Sequence, residues 1–252
     1  MSVIRSMVIA FATYSRIPMP RVDWAEDNRR YTMCFFPLIG LVIGLLMWGW
    51  LALCDAAAFG PLLKGAVGAL LPLGVTGGIH MDGLMDTADA MASWQPKERR
   101  LEILKDSHVG AFGVMSCAGY LLLSAGVISE MTCAHGPRLV FVYVVSRALS
   151  AWALTAFPNA RPQGMLGGFS RAAHRRCVTL FSGVYLALCA LMWCFSHLLT
   201  GVLCLGGCAL VLLCYRRMAM KYFGGVTGDL AGWFLQITEL TLAALILVGG
   251  KL

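Results

Sequence analysis

Apolar residues fall into seven long runs, approximately 35–53, 62–80, 111–130, 138–157, 178–196, 200–215 and 231–250, separated by more polar stretches. Each is long enough, or nearly so, to carry an α-helix across about 30 Å of hydrocarbon at about 1.5 Å per residue. The pattern predicts an all-α, polytopic integral membrane bundle of about seven transmembrane helices. The sixth run is the weakest, being short and glycine-rich; a re-entrant hairpin with the fifth is its alternative. The apolar stretch Met7 to Ala12 is too short to span and lacks a cleavage site before the basic segment that follows. It predicts an interfacial or packed amphipathic segment, not a signal peptide. Neither a low-complexity tract nor an internal repeat interrupts the chain, so residues 1–252 read as one integral membrane domain.

Composition agrees. Of 252 residues, 59% are hydrophobic and 13% charged, and the mean hydropathy is +0.74. Soluble domains are roughly 45–50% apolar and about 25% charged. The formal net charge is +7, but the basic residues sit between apolar runs, where they set topology. With the N-terminus inside, sixteen of the twenty Lys and Arg fall in inner segments, only Lys64, Arg138 and Lys251 lie outside, and Arg147 lies within a run. This predicts a cytoplasmic N-terminus, an outer C-terminus and an odd number of spans. No zinc-finger spacing or RNP-type motif supports nucleic-acid binding. The ten cysteines lie mostly inside apolar runs without a Cys-x-x-Cys pair, and read as small packing residues.

The inner connections 81–110, 158–177 and 216–230 are long, and long ordered loops carry function. The first opens with Thr76-Gly-Gly-Ile-His80-Met-Asp82-Gly-Leu-Met-Asp86-Thr-Ala-Asp89. On a helix the three aspartates lie within a ~60° arc. Like charges so placed repel one another, and the neighbours Ile79, Met81, Leu84, Met85, Ala88 and Met91 are too apolar for a solvated acidic face. A hard cation such as Mg²⁺, Mn²⁺ or Ca²⁺ would relieve the repulsion. His80 lies ~160° from Asp82 on the same wheel and points away from the acids; a substrate hydrogen bond, a metal ligand or a packing role are its options. Further along, Arg99, Arg100 and Lys105 are candidate phosphate binders as well as topology signals. Asp106 is a candidate helix cap for the third span or a further carboxylate of the site.

The third inner connection contains Lys221-Tyr-Phe-Gly-Gly225-Val-Thr227-Gly-Asp229. Its glycines permit close backbone approach to a phosphate, with Asp229 at the entrance to the last span on the same side as Asp82. Arg147 and Glu239 are intramembrane charges at similar depth, ~15 and ~12 Å from the inner ends of their runs. Such charges are rare and paired or functional, so the two are expected to form an ion pair or the floor of a pocket beneath the aspartates.

Taken together, these motifs resemble the cobalamin synthase (adenosylcobinamide-GDP ribazoletransferase) family. The stretch Thr76 to Asp89 carries the resemblance. Arg16-Ile-Pro-Met-Pro20, Phe36-Pro-Leu-Ile-Gly40, Leu101-Glu-Ile-Leu-Lys-Asp-Ser107, Arg147, Gly224-Gly-Val-Thr-Gly-Asp229 and Glu239 follow in the family's order. His108 stands where the family often has arginine, and Ala90 where it often has glycine. The resemblance implies a Mg²⁺-dependent enzyme of the bacterial inner membrane with its active site on the cytoplasmic face. Its substrates would be adenosylcobinamide-GDP and α-ribazole or α-ribazole 5′-phosphate, its products adenosylcobalamin or its 5′-phosphate, and GMP. Asp82, Asp86 and Asp89 would hold Mg²⁺ on the pyrophosphate, Asp229 would complete the site or act as base, and the ribazole 5′-hydroxyl would attack. His80, Arg99, Arg100, Lys105, Asp106, Arg147, Gly225, Thr227 and Glu239 are the expected substrate-binding residues. Membrane lipid is the expected surround, and homo-oligomeric assembly is compatible with the reading. A CDP-alcohol phosphotransferase fits less well, because Asp82-Gly83 lacks the following Ala-Arg and the later paired aspartates. A cation transporter would need acidic groups through the bilayer core, where only Glu239 lies.

Overall fold

A computed structural model describes residues 2–161 and 165–251, and every regular element among them is helical. In chain order these are α1 (Ser2–Tyr14), α2 (Glu26–Arg29), α3 (Thr32–Ala56), α4 (Pro61–Thr76), α5 (Ile79–Ala92), α6 (Lys97–Ile103) and α7 (Ala111–Ser129). After a 3₁₀ turn, Cys133–His135, come α8 (Gly136–Ala156), α9 (Met165–Ala172), α10 (Arg175–Ser196), α11 (Leu198–Met218) with a π-helical extension Ala219–Phe223, and α12 (Gly228–Gly249). Six of these helices, α3, α7, α8, α10, α11 and α12, are long and apolar enough to cross a bilayer, and α4 and α5 pass the same test only as a sharply bent pair. The chain is therefore a multi-pass membrane protein. Residues 162–164 of the long connection 158–177 lie outside the described residues.

Helix α8 is the most enclosed element, and α3, α10 and α12 pack on it. Gly40 and Gly44 of α3 make one of these crossings close: a Cβ at Gly44 would stand 2.6 Å from Val140 Cα, and one at Gly40 would strike the Tyr143 carbonyl. Small residues four apart let helix backbones approach where lipid offers no hydrophobic drive. The outward faces of α7, α10 and α11 remain apolar and exposed, as with Leu122, Phe181, Leu188, Val202 and Leu210. A lipid-facing surface has this character. Helix α1 packs on α3 and buries Ile9 and Ala10, in keeping with the packed segment expected there.

The sixth run holds as a span, and the second changes. The sixth run is no hairpin fragment: α11 and its π turn run from Leu198 to Phe223 as a full crossing element. The second run, 62–80, is not one helix. It breaks at Gly77 and Gly78, both left-handed at φ +68° and +81°, and the chain turns by 99° between α4 and α5. Only glycine enters this region cheaply. Arg16 closes the bend by donating its backbone N–H to Val75 O at 2.7 Å and laying its side chain over Gly77. Helix α5 thus leaves the crossing direction and runs across one end of the bundle, outside the spanning segments, between α12 and α7.

Candidate functional site at one end of the bundle

Two glycines set the position of α5. A Cβ at Gly83 would lie 2.6 Å from Asp229 O, and one at Gly232 would lie 2.8 Å from His80 O. Backbone therefore meets backbone where α5 crosses the first turns of α12. Met81 and Leu84 fasten the crossing from below, with Tyr120, Trp233 and Ile237 around them. This arrangement puts Asp82 and Asp86 of α5 beside Asp229 at the start of α12.

The three predicted aspartates of α5 separate into two roles. Asp89 Oδ2 accepts from Gly110 N and Oδ1 from Gly113 N, each at 2.8 Å. Both oxygens thereby serve the open N-terminal turn of α7, satisfying N–H groups that lack intrahelical partners. Asp106, expected as a cap for this helix, is exposed and instead accepts from His108, whose backbone and side-chain bonds hold its carboxyl below the usual range. Asp82 and Asp86 have no such commitment. Desolvation pushes Asp86 up to about 7, followed by the charges of Asp82, Asp229 and Asp89, with Arg161 opposing them. Burial and like charge both favour the neutral carboxyl here, and a cation bound beside it would oppose both.

Asp229 sits in the first turn of α12, whose N-cap is Thr227: its Oγ1 accepts from Leu230 N at 3.2 Å and donates to Asp229 Oδ2 at 3.5 Å. Arg161 Nη1 reaches the same carboxylate at 3.3 Å, and Nη2 donates to Leu101 O. The loop after α8 holds Arg161 there. Val226 N donates to Pro158 O at 2.8 Å, Ala160 N donates to Val226 O at 3.0 Å, and Gly225 admits this contact because a Cβ would stand 2.6 Å from Pro158 O. Gly225 thus serves the joining of two loops. Arg161 is a candidate site residue that the sequence did not single out; its place in an inner connection was the signal, but Arg171, Arg175 and Arg176 share that connection.

The remaining predicted residues lie elsewhere. Arg147 and Glu239 are paired at 2.6 Å, with side-chain exposures of 1% and 6%. Ser146 Oγ also donates to Glu239 Oε1 at 2.9 Å, and Arg147 Nη1 donates to Tyr143 O at 3.1 Å. This pair lies inside the bundle and is not among the residues that line the cavity described below. Arg100 is buried, with Nε donating to Gln95 O at 2.7 Å and its guanidinium 4.8 Å above the Tyr222 ring. Arg99 pairs with Glu102 on the surface, and Lys105 is exposed beyond α6.

Beside Asp82 and Asp229 opens a cavity of about 240 Å³. Tyr14, Phe36, His80 and Tyr215 give it aromatic walls, and Leu154, Ala231 and Leu235 line its apolar interior. His80 faces it even though the helical wheel sets it far from Asp82. The cavity meets the first turn of α5 end-on, so Ile79, His80 and Asp82 all reach it. Burial, with the Arg147 cation behind it, pushes His80 down to about 3, which keeps its imidazole neutral.

Among the described residues no three His, Cys, Asp or Glu side chains converge as a complete metal cage. Mg²⁺ does not require one, since it is commonly held by one or two carboxylates, with water and substrate phosphates completing its shell. The pair Asp82 and Asp86, next to Asp229, fits that demand.

An all-helical, multi-pass membrane protein with uncompensated carboxylates at a cavity mouth is the class that fold and site define. The chain belongs to the cobalamin-5-phosphate synthase family, whose sequence model matches residues 6–248. Similar proteins include the adenosylcobinamide-GDP ribazoletransferase of Lachnoclostridium phytofermentans, 43% identical over 94% of this chain and 91% of its own. Those of Desulfitobacterium hafniense and Brevibacillus brevis are 34% and 32% identical, over 94% and 95% of this chain and 94% and 96% of theirs. No solved structure matches.

Proposed function

We propose that this protein joins adenosylcobinamide-GDP to α-ribazole or its 5′-phosphate, releasing GMP and giving adenosylcobalamin or its 5′-phosphate. The observation that carries the reading is the acidic cluster of Asp82, Asp86 and Asp229, of which Asp82 and Asp229 line the cavity, in a chain that matches the family over nearly its whole length. The first turns of α5 and α12 both line that cavity, and helix N-termini favour phosphate groups. Net positive charge in the connections at this end supports a cytoplasmic face of the bacterial inner membrane.

Asp82 and Asp86 would hold Mg²⁺, with Asp229 beside them, while Asp89 fixes α7 against α5. When bound, the ion neutralises charge on the pyrophosphate of the nucleotide-activated corrinoid. The chain's own part is positioning and proton management, which dominate phosphoryl transfer. Arg161 orients Asp229 and offers the site a guanidinium for a phosphate oxygen. A ribazole hydroxyl attacks the phosphorus on the cobinamide side, the bond to the GMP oxygen breaks, and Asp229 accepts the hydroxyl proton. The attacking group is not the 5′-hydroxyl expected from the resemblance. A product named cobalamin 5-phosphate keeps its phosphate, so that oxygen is already occupied and another ribose hydroxyl must attack.

The test is GMP release by detergent-solubilised protein given adenosylcobinamide-GDP and α-ribazole 5′-phosphate, with and without Mg²⁺. Metal-dependent GMP, together with a corrinoid carrying its lower base, is the expected result. A folded sample that yields neither overturns the reading, and cation flux into liposomes without nucleotide would replace it with transport.

A further inference from the structure

The cavity beside the carboxylates has a character that the transfer chemistry alone does not explain. At about 240 Å³ it is smaller than the ~300–1,000 Å³ of sites that enclose drug-sized ligands, yet larger than the ~150 Å³ that holds a benzene. That size suits one fused bicyclic ring and excludes a corrin. His80 is 6% exposed, and its Nε2 is buried without a hydrogen-bond partner. A buried polar atom left unpaired is costly, so an occupant that pairs with it is strongly favoured. The His80 ring itself stands between Tyr14, at 6.3 Å and nearly parallel, and Phe36, at 5.8 Å and edge-on.

We propose that this cavity seats the benzimidazole base of the ribazole substrate, with His80 Nε2–H donating to the base's free ring nitrogen. The assignment rests on the reaction proposed above. Guanine, the other flat ring among the substrates, carries several donors and a carbonyl along its pairing edge, each of which must be satisfied when buried. The deep lining around Leu154, Leu235 and Phe36 is apolar, and besides His80 its polar groups are the hydroxyls of Tyr14, Ser150 and Tyr215, none of them a carbonyl or amide that would match that edge as a set. Benzimidazole has apolar edges and one acceptor nitrogen, for which the unpaired His80 Nε2 is a matching donor. With the base inside, the ribose emerges at Asp82 and Asp229, where its hydroxyl must be for transfer. His80 is then a specificity residue for the acceptor nucleoside and has no part in activating the corrinoid.

The probes are 1-methylbenzimidazole and 1-methylindole, which differ in the ring nitrogen. Calorimetric titration of the intact protein should show the benzimidazole binding about 3–10-fold tighter, the worth of one hydrogen bond. His80→Ala and His80→Phe should erase that preference. Both variants should raise KM for α-ribazole 5′-phosphate about tenfold, leave KM for adenosylcobinamide-GDP within twofold, and be partly rescued in His80→Gln. Should the His80 variants fail to fold, Ala231→Leu, which fills the cavity, should give the same one-sided KM rise. Equal binding of the two probes by the unaltered protein overturns the proposal. So does a KM rise confined to adenosylcobinamide-GDP, or displacement of 1-methylbenzimidazole by GMP, either of which places guanine in the cavity. The titration needs no turnover, so failure of the reaction itself is read separately from failure of this assignment.

Discussion

The molecule holds two clusters of charge in an otherwise apolar body, and they are built on opposite principles. Inside the bundle, Arg147 and Glu239 are paired at 2.6 Å, and Ser146 and the Tyr143 carbonyl add further bonds, with Arg147 Nε left unpaired. At the bundle end, Asp82, Asp86 and Asp229 have Arg161 as the nearby cation found among the described residues, and Asp86 stays protonated up to about 7. Three carboxylates against one guanidinium leave a surplus of negative charge. A balanced buried pair holds helices in register, here α8 and α12. An unbalanced cluster at a cavity mouth awaits something from outside. Charge balance, more than burial or position in a motif, separates the structural group from the functional one.

The comparison breaks most visibly on removing one member of the balanced pair. Glu239→Ala leaves Arg147 buried and alone, and should destabilise the protein by roughly 3–5 kcal/mol. Thermal unfolding in detergent checks this. The double variant Arg147→Met with Glu239→Leu should recover most of that loss and keep turnover; lost turnover in a stable double variant would give the pair a ligand-contacting role. Asp82→Asn should behave in the opposite way, with turnover falling by about 10²–10³-fold, a loss of several kcal/mol of charge stabilisation, and melting unchanged. Enlarging the glycine crossing with Gly83→Ala forces α5 away from Asp229. A cost of about 1–3 kcal/mol is expected from overpacking, accompanied by weaker Mg²⁺ activation.

Asp89→Asn is predicted to be milder, about 1 kcal/mol on unfolding, as for loss of a helix cap, with turnover largely kept. A loss of turnover as deep as that of Asp82→Asn would return Asp89 to the metal-holding set. The smallest effect is on pH. Asp86 is raised in the folded protein, so its contribution to stability is complete below about 4 and is lost as pH rises through about 7. Metal-free protein should therefore melt lower at pH 8 than at pH 5, and Mg²⁺ should narrow the gap. Since the cation displaces that proton, the Mg²⁺ concentration for half-activation should fall by up to about tenfold for each unit that the pH rises towards 7, and level off above it.

Much of this was legible in the chain because it follows from local spacing. Apolar run lengths announce membrane helices, and the i, i+4, i+7 spacing of Asp82, Asp86 and Asp89 announces a shared helical face. The matched depths of Arg147 and Glu239 announce that they meet. The sequence likewise carried the Gly77-Gly78 pair that makes a 99° bend possible, but not the direction of the bend. Only tertiary structure decided that α5 lies across α12 and α7. That choice commits Asp89 to the Gly110 and Gly113 amides and turns the first turn of α5 end-on, so that His80 and Asp82 share a cavity despite opposite places on the wheel. It also brings Arg161 to Asp229 across 68 residues of chain. Periodicity fixes which side chains share a face of one helix. Which of them finds a partner, and which is left to recruit a ligand, depends on backbone approaches between helices that no local pattern encodes.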